Sequence, residues 1–204
     1  LKAREPLAAL AAARDAVALG PGLGLDAETQ ALAGALARDL ERPMVIDADA
    51  LTALAGHLET LREARGPRCL TPHPGEMARL LGGTTADVQR DRVGAAREFA
   101  RRHGVHLVLK GATSVIAAPG GDVYLNPTGN PGLASGGTGD VLTGMTGAFL
   151  ARGMAPLAAL QCAVFLHGRA GDLAAARVGE DSLVAGDVIA ALGEAFIGLR
   201  AAPG

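Results

Sequence analysis

Along the chain, short apolar runs bounded by Gly, Pro or Asp alternate with longer stretches whose apolar residues recur every three or four positions. "AVALG" (Ala16–Gly20), "PMVIDA" (Pro43–Ala48), "CLTP" (Cys69–Pro72) and "VHLVLKG" (Val105–Gly111) have the length and punctuation of buried strands. "DAETQALAGALARDLE", "PGEMARLLG" and "TADVQRDRVGAAREFARRHG" carry helical spacing, with Asp26 and Thr85 placed to cap the first and third. Strand then helix, repeated, predicts an α/β fold with a mostly parallel sheet covered by helices. After Gly111 the rhythm changes. "SVIAAPGGDVYLN" alternates on both sides of Pro119–Asp122 and predicts an antiparallel edge hairpin. From Gly137 onward the pattern is helical throughout. The lead "LKAREPLAALAAARD" reads as a helix feeding the first strand, leaving about four strands ahead of the hairpin, where a doubly wound sheet carries about six.

No repeat, heptad or low-complexity linker interrupts the 204 residues, so residues 1–204 are expected to form a single domain. Apolar residues make up 49% of the chain, but no run approaches the roughly 18 unbroken apolar residues of a membrane span. A net charge of −2 without a Lys/Arg run leaves no electrostatic footprint for nucleic acid or an anionic membrane. A small soluble ligand is favoured. No secretory signal is visible, and Cys69 and Cys162 are too few and too far apart for a disulfide framework or a zinc site, so reduced thiols and a cytoplasmic location are expected. Of 19 basic residues only Lys2 and Lys110 are lysines, which singles out the interior Lys110.

The densest chemical signal is "NPGLASGGTGDVLTG". A glycine-rich loop entering a helix presents free amides and the positive end of the helix dipole to one spot, which makes an anion site from Ala134, Ser135, Gly136, Gly137, Thr138 and Gly139. Asp140 then reads either as a helix cap or as a base that takes the proton of a hydroxyl attacking a phosphoryl group held by that loop. The Gly-Lys-Ser/Thr helix start of a Walker A loop is absent. "GPGLG" (Gly20–Gly24) follows a strand at its ligand-bearing end and offers a second close-approach surface or a simple tight turn. In "VIDADAL", Asp49 reads as the cap of the next helix, while Asp47 ends a strand where it would meet a ligand or an ion. His73 and Glu76 of "LTPHPGEMARL" fall three apart at another strand end and read as a site pair. Lys110 closes an apolar strand where a long cation suits a nucleotide phosphate, against the alternative of a snorkelling surface lysine. His167, on an Ala-rich helix, reads as a packed histidine.

Taken in order, "GPGLG", "VIDADAL", "LTPHPGEMARLLG", "VLKGATSVIAAPGGDVYLNPTGNPGLASGGTGDVLTG" and "HGRAGDLAAARVG" resemble the ADP- or ATP-dependent NAD(P)H-hydrate dehydratase family of the ribokinase-like superfamily. The resemblance runs from about Val17 to the C-terminal helix and implies a ribokinase-like three-layer αβα sandwich. It also implies a metabolite-repair lyase that restores NADH and NADPH from their hydrated forms, NADHX and NADPHX. ADP or ATP would phosphorylate the ring hydroxyl, the phosphate would then leave with a push from the ring nitrogen, and Mg2+ would accompany the nucleotide. Lys110, Gly111, Ala112, Thr113 and Ser114 resemble the family's nucleotide-binding segment, to which Gly136, Gly137, Thr138 and Gly139 add an anion hole. Asp140 resembles the base on the hydrate hydroxyl, and Gly22, Gly24, His73 and Glu76 resemble substrate-binding positions. His73 stands where related sugar kinases carry the Asn of an Asn-x-x-Glu motif, and no residue of the chain is assigned as a metal ligand.

"HPGE" resembles the ADP-using branch. Family members carry a first strand and a glycine-containing loop ahead of the position of Leu1, and some bear an upstream epimerase domain; the chain thus reads as lacking an N-terminal portion. The broad Ala- and Leu-rich helices predict a homo-oligomer, up to a tetramer. Two other functions are compatible with the same loop: a kinase of a vitamin precursor such as hydroxyethylthiazole or a pyridoxal-like alcohol, and a non-catalytic nucleotide-binding fragment.

Overall fold

The computed structural model describes residues 3–201, so Lys2 lies outside the described residues. Six strands form one sheet in sequential order: β1 (Val17–Leu19), β2 (Met44–Ile46), β3 (Arg68–Leu70), β4 (His106–Leu109), β5 (Ser114–Ala117) and β6 (Val123–Asn126). The β1–β2, β2–β3 and β3–β4 pairs are parallel, and the β4–β5 and β5–β6 pairs antiparallel. The four strands ahead of the hairpin and the hairpin itself fall where the hydrophobic pattern puts them. Gly121, at φ 99°, makes the turn, with its amide donating to the Ala118 carbonyl.

The period-two alternation of each strand sorts its side chains between two cores. Met44, Ile46, Leu70, Leu107, Leu109 and Ala117 face a layer built by α1 (Arg4–Ala12), α2 (Ala27–Asp39), α3 (Ala48–Leu54), α4 (Glu59–Arg62), α5 (Pro74–Leu81), α6 (Thr85–Arg90) and α7 (Arg92–His103). Val45, Cys69, Val108 and Ile116 face the other layer, α8 (Thr138–Ala151), α9 (Pro156–Val178) and α10 (Ala185–Ala201). Burial on both faces explains the short apolar runs Met44–Ile46, Cys69–Leu70 and Leu107–Leu109 in β2 to β4. Burial without a cationic partner strong enough to offset it pushes the Cys69 thiol up to about 12; Cys69 and Cys162 are both free.

Local signals set the helix starts. Asp26 caps α2 by accepting from the Thr29 amide at 2.9 Å. Thr85 is not a cap: Thr84 is, in a reciprocal box with Asp87, and Thr85 is the first helical residue. The single helix expected across "TADVQRDRVGAAREFARRHG" is two, because Asp91 leaves helical geometry and caps α7 through the Gly94 amide at 2.7 Å. Asp49 is not a cap either. Asp47 occupies the N-cap position of α3 without a side-chain capping bond, and Asp49 lies in the first turn.

Candidate active site

The carboxyl ends of β1 to β4 and the start of α8 meet at one edge of the sheet. After β1, Gly20 (φ 138°) runs so close to β2 that a Cβ there would lie 1.7 Å from the Asp47 carbonyl oxygen. Gly22 and Gly24, at φ 72° and 83°, continue as an exposed turn. The Gly24 amide donates to Asp49 Oδ2 at 2.9 Å, which ties this turn to α3 and gives Asp49 its role.

Asp47, 2% exposed, is the pivot beneath the turn. Its Oδ1 accepts from Lys110 Nζ at 2.9 Å and its Oδ2 from the Thr143 hydroxyl on α8 at 2.8 Å. Lys110 therefore does not snorkel. Its ammonium stands between Asp47 and Glu76 Oε2, the latter 3.7 Å away, and a Cβ placed on Gly139 would lie 3.5 Å from it. Glu76 and His73 form a reciprocal cap of α5: His73 Nδ1 accepts from the Gly75 and Glu76 amides, and Glu76 Oε2 accepts from the His73 amide at 2.7 Å. Nδ1 thus serves as an acceptor, and Nε2 lies 3.6 Å from Glu76 Oε1.

α8 begins at Gly137, in the left-handed region at φ 86°, with no side-chain cap. The amides of Gly139 and Asp140 take no hydrogen-bond partner among the described residues, so the positive end of the helix dipole stays open directly above Lys110. Asp140 does not cap: its carboxylate is exposed and holds no partner among the described residues. The loop ahead of it is fixed from α9. His167 Nε2 lies 2.9 Å from the Thr138 carbonyl, and Asp172 accepts from the Gly129 amide and the Asn130 side chain, each at 3.1 Å. Thr138 shares its hydroxyl proton between the Leu133 and Ser135 carbonyls, at 2.6 and 2.8 Å. Gly168 and Gly171 let α9 approach, since side chains there would run into Thr128 and Leu133. Burial lowers the His167 pKa most, with the Thr138 carbonyl opposing that shift and Lys110 adding to it; the ring is neutral, with its proton on Nε2.

The fold thus gathers Gly20, Asp47, Glu76, Lys110, Gly139 and Thr143, with Asp140 beside them. Gly111, Ala112 and Thr113 lie on an exposed loop with Ser114 at the head of β5, so Lys110 points inward while the rest of its segment faces outward. Arg92 braces that loop, its guanidinium donating to the Leu109, Lys110 and Ala112 carbonyls. Arg92, Thr143 and Asp172 escape a reading of the sequence, since each acts across a distance in sequence that no local pattern marks. Among the described residues no group of three or more His, Cys, Asp or Glu is arranged to hold a metal. Asp47 and Glu76 already face Lys110, which leaves Asp140 as the one unpaired carboxylate at the start of α8 among the described residues, so Mg2+ here would depend chiefly on nucleotide phosphates for its ligands.

A mostly parallel sheet with helices on both faces, and an uncapped glycine-fed helix meeting a lysine at the strand ends, make up a ribokinase-like fold with its candidate site at the strand ends. A ribokinase-like superfamily protein from Enterococcus faecalis superposes with a TM-score of 0.81 at 27% identity, over 98% of this chain and 68% of that one. The chain belongs to the NAD(P)H-hydrate dehydratase family, whose model matches residues 2–192. The bifunctional NAD(P)H-hydrate repair enzyme of Moorella thermoacetica is 48% identical over 187 residues, 92% of this chain and 35% of that protein. The ADP-dependent (S)-NAD(P)H-hydrate dehydratase of Neisseria meningitidis is 43% identical over 174 residues, 83% of this chain and 59% of that protein. The chain therefore spans about a third of the former and three-fifths of the latter. The ADP/ATP-dependent NAD(P)H-hydrate dehydratase of Bacillus subtilis, crystallised with ATP and Mg2+, superposes with a TM-score of 0.80 at 35% identity, over 92% of this chain and 68% of that one. A hydroxyethylthiazole kinase from Pyrococcus horikoshii, 22% identical with a TM-score of 0.69, shares the fold.

Proposed function

We propose that this chain catalyses the nucleotide-dependent dehydration of hydrated NADH and NADPH, with residues 1–204 acting as one domain. The observation that carries the reading is the pairing at the start of α8: open amides at Gly139 and Asp140 above the Lys110 ammonium, beside an exposed carboxylate with no partner among the described residues. The first part attracts a phosphoryl group and the second is free to take a proton. The terminal phosphoryl group of ADP or ATP would rest against those amides and Lys110, with Gly136, Gly137 and Thr138 shaping the loop and Gly111–Ser114 flanking the rest of the nucleotide. Asp140 would accept the proton of the hydrate's ring hydroxyl as its oxygen bonds to phosphorus and the nucleotide's bridging P–O bond breaks. The C–O bond of the resulting phosphate ester then breaks, driven by the ring-nitrogen lone pair. Loss of a proton from the neighbouring carbon restores the double bond, and inorganic phosphate departs. The exposed Gly22, Gly24 and His73 would contact the nicotinamide, and Glu76 holds His73 in place through their reciprocal cap. Mg2+, bound with the nucleotide, would screen the phosphate charges.

ADP as donor is supported by the name of the Neisseria relative, and ATP by the ligand of the Bacillus structure. Self-association as a homo-oligomer is supported by the apolar side chains that α10 exposes, Ile189 at 57% and Ile197 at 69% among them. No described helix is long and apolar enough to cross a membrane, which is consistent with a cytoplasmic enzyme. The test is to incubate the protein with hydrated NADH and ADP or ATP and follow the absorbance of the reduced nicotinamide. A nucleotide-dependent rise supports the reading; no rise with either nucleotide, alongside phosphorylation of a vitamin alcohol, overturns it.

A further inference from the structure

At the opposite edge of the sheet, around the amino ends of β3 and β4, a cavity of about 340 Å³ opens between α4 and α7. Its lining includes Arg62, Gly66, Arg68, Arg101, Arg102 and His103, and no carboxylate residue. Two buried groups here are electrostatically unfinished. Arg68 is 1% exposed, and its guanidinium donates only to backbone carbonyls, those of Ala37, Leu40, Arg42 and Pro67. These carbonyls satisfy its N–H groups but bring no net negative charge. His103 is 7% exposed, packs its ring 4.5 Å from Phe99, and leaves Nδ1 buried without a hydrogen-bond partner.

The surroundings reinforce the deficit. Burial pulls the Arg68 guanidinium down to about 10 with no carboxylate opposing it. Burial and then the Arg102 charge hold the His103 pKa low, with the Leu58 carbonyl opposing and Arg62 adding to the depression. Arg62, Arg101 and Arg102 reach the cavity from exposed positions, and none is paired with a carboxylate among the described residues. At Gly66 a Cβ would lie 3.2 Å from Arg68 Nη1 and 2.2 Å from the Glu41 carbonyl oxygen, so only a bare glycine fits in the cavity wall beside the buried guanidinium.

We propose that this cavity is a second anion site, which binds a compact phosphoryl anion between Arg62, Arg101 and Arg102 over Arg68. Three exposed arginines lining one cavity with the buried Arg68, and no carboxylate in the lining, call for a multivalent anion, and the planar fork of Arg matches phosphate oxygens in pairs. Inorganic phosphate, diphosphate and the phosphate end of a nucleotide share that chemistry. Neutralising Arg62 and Arg102 also relieves the part of the His103 depression that their charges add to burial, which gives the site a local reporter.

The test titrates the protein at low salt with inorganic phosphate, diphosphate and ADP in turn, following the His103 ring resonances by NMR, assigned with His103→Gln. Saturable movement of His103 by at least one of the three is expected, and the tightest binder identifies the source. Arg101→Gln/Arg102→Gln, both exposed, should weaken that binding at least about tenfold, and Arg62→Gln about threefold. Arg90→Gln/Arg97→Gln removes the same charge outside the cavity and should change it less than about twofold. A His103 signal unmoved by all three anions overturns the proposal. So does equal weakening by the two double variants, which would mark a diffuse charge effect.

Discussion

Replacing Lys110 by Met tests whether the Asp47–Lys110 pair organises the strand ends. The two charges are 2.9 Å apart, worth about 6 kcal/mol at an effective dielectric constant of about 20, before the cost of taking both from water. Asp47 is 2% exposed, so loss of the ammonium leaves a buried carboxylate answered only by the Thr143 hydroxyl. Breaking one side of a buried pair costs about 3–5 kcal/mol. Water reaches the Lys110 side chain, 21% exposed, which puts the expected loss near the lower end, about 3 kcal/mol. Asp47→Asn keeps the shape and the Thr143 contact while removing the stranded charge, so in the Lys110→Met background it should restore about 2 kcal/mol. Urea unfolding followed by circular dichroism, with the midpoint shifting at constant slope, gives all four corners of the cycle. A cost below about 1 kcal/mol for Lys110→Met, or an Asp47→Asn change that adds its own penalty to it, would refute the account.

Four other substitutions probe the neighbourhood. Gly20→Ala should cost at least about 3 kcal/mol or prevent folding, since its methyl would collide with the Asp47 backbone, whereas Gly22→Ala, with open space around it, should cost only about 1 kcal/mol of left-handed strain. Urea midpoints distinguish the two. Gly139→Ala should leave stability within about 0.5 kcal/mol, because its methyl would meet Lys110 and Asp47 only at ordinary contact distance, yet it should weaken nucleotide binding at least about tenfold by covering the ammonium. Calorimetric titration with ADP reads that loss. His167 has a folded pKa below its unfolded value of about 6.5, so the unfolded chain binds the extra proton; stability is full above about pH 6.5 and falls as the pH drops, by up to about 1.4 kcal/mol per unit for this residue. His167→Gln should flatten that part of the pH–stability curve, and an unchanged slope would contradict the assignment.

The two periodicities of the sequence carry most of the fold. Six strands, the hairpin turn and the three long C-terminal helices follow from apolar spacing and from glycine and proline punctuation. The errors arose where one polar residue decides between neighbours. Thr84 and Thr85 are equally good caps by type, and only the reciprocal bond to Asp87 selects Thr84. Asp91 breaks a helix whose apolar spacing continues across it. Asp47 and Asp49 sit two apart in "DADAL", yet the strand end turns one into the interior toward Lys110 and the other toward Gly24. Glycine-loop chemistry was legible because it is local: "GGTGD" carries the open amides and the carboxylate within five residues. The braces of that loop were not. Arg92, Thr143 and Asp172 owe their roles to partners 17 to 96 positions away, a relation that only the packed chain creates.

The central claim is that Asp140 is the base beside an anion site that does not need it. The most direct measurement compares Asp140→Asn with the unaltered protein in two assays, nucleotide affinity and nucleotide-driven recovery of reduced nicotinamide from its hydrate. The variant is expected to bind ADP within about threefold of the original affinity while recovery falls at least about a hundredfold, the scale of a lost general base. Recovery that survives in Asp140→Asn, or nucleotide binding that collapses together with it, would contradict the account.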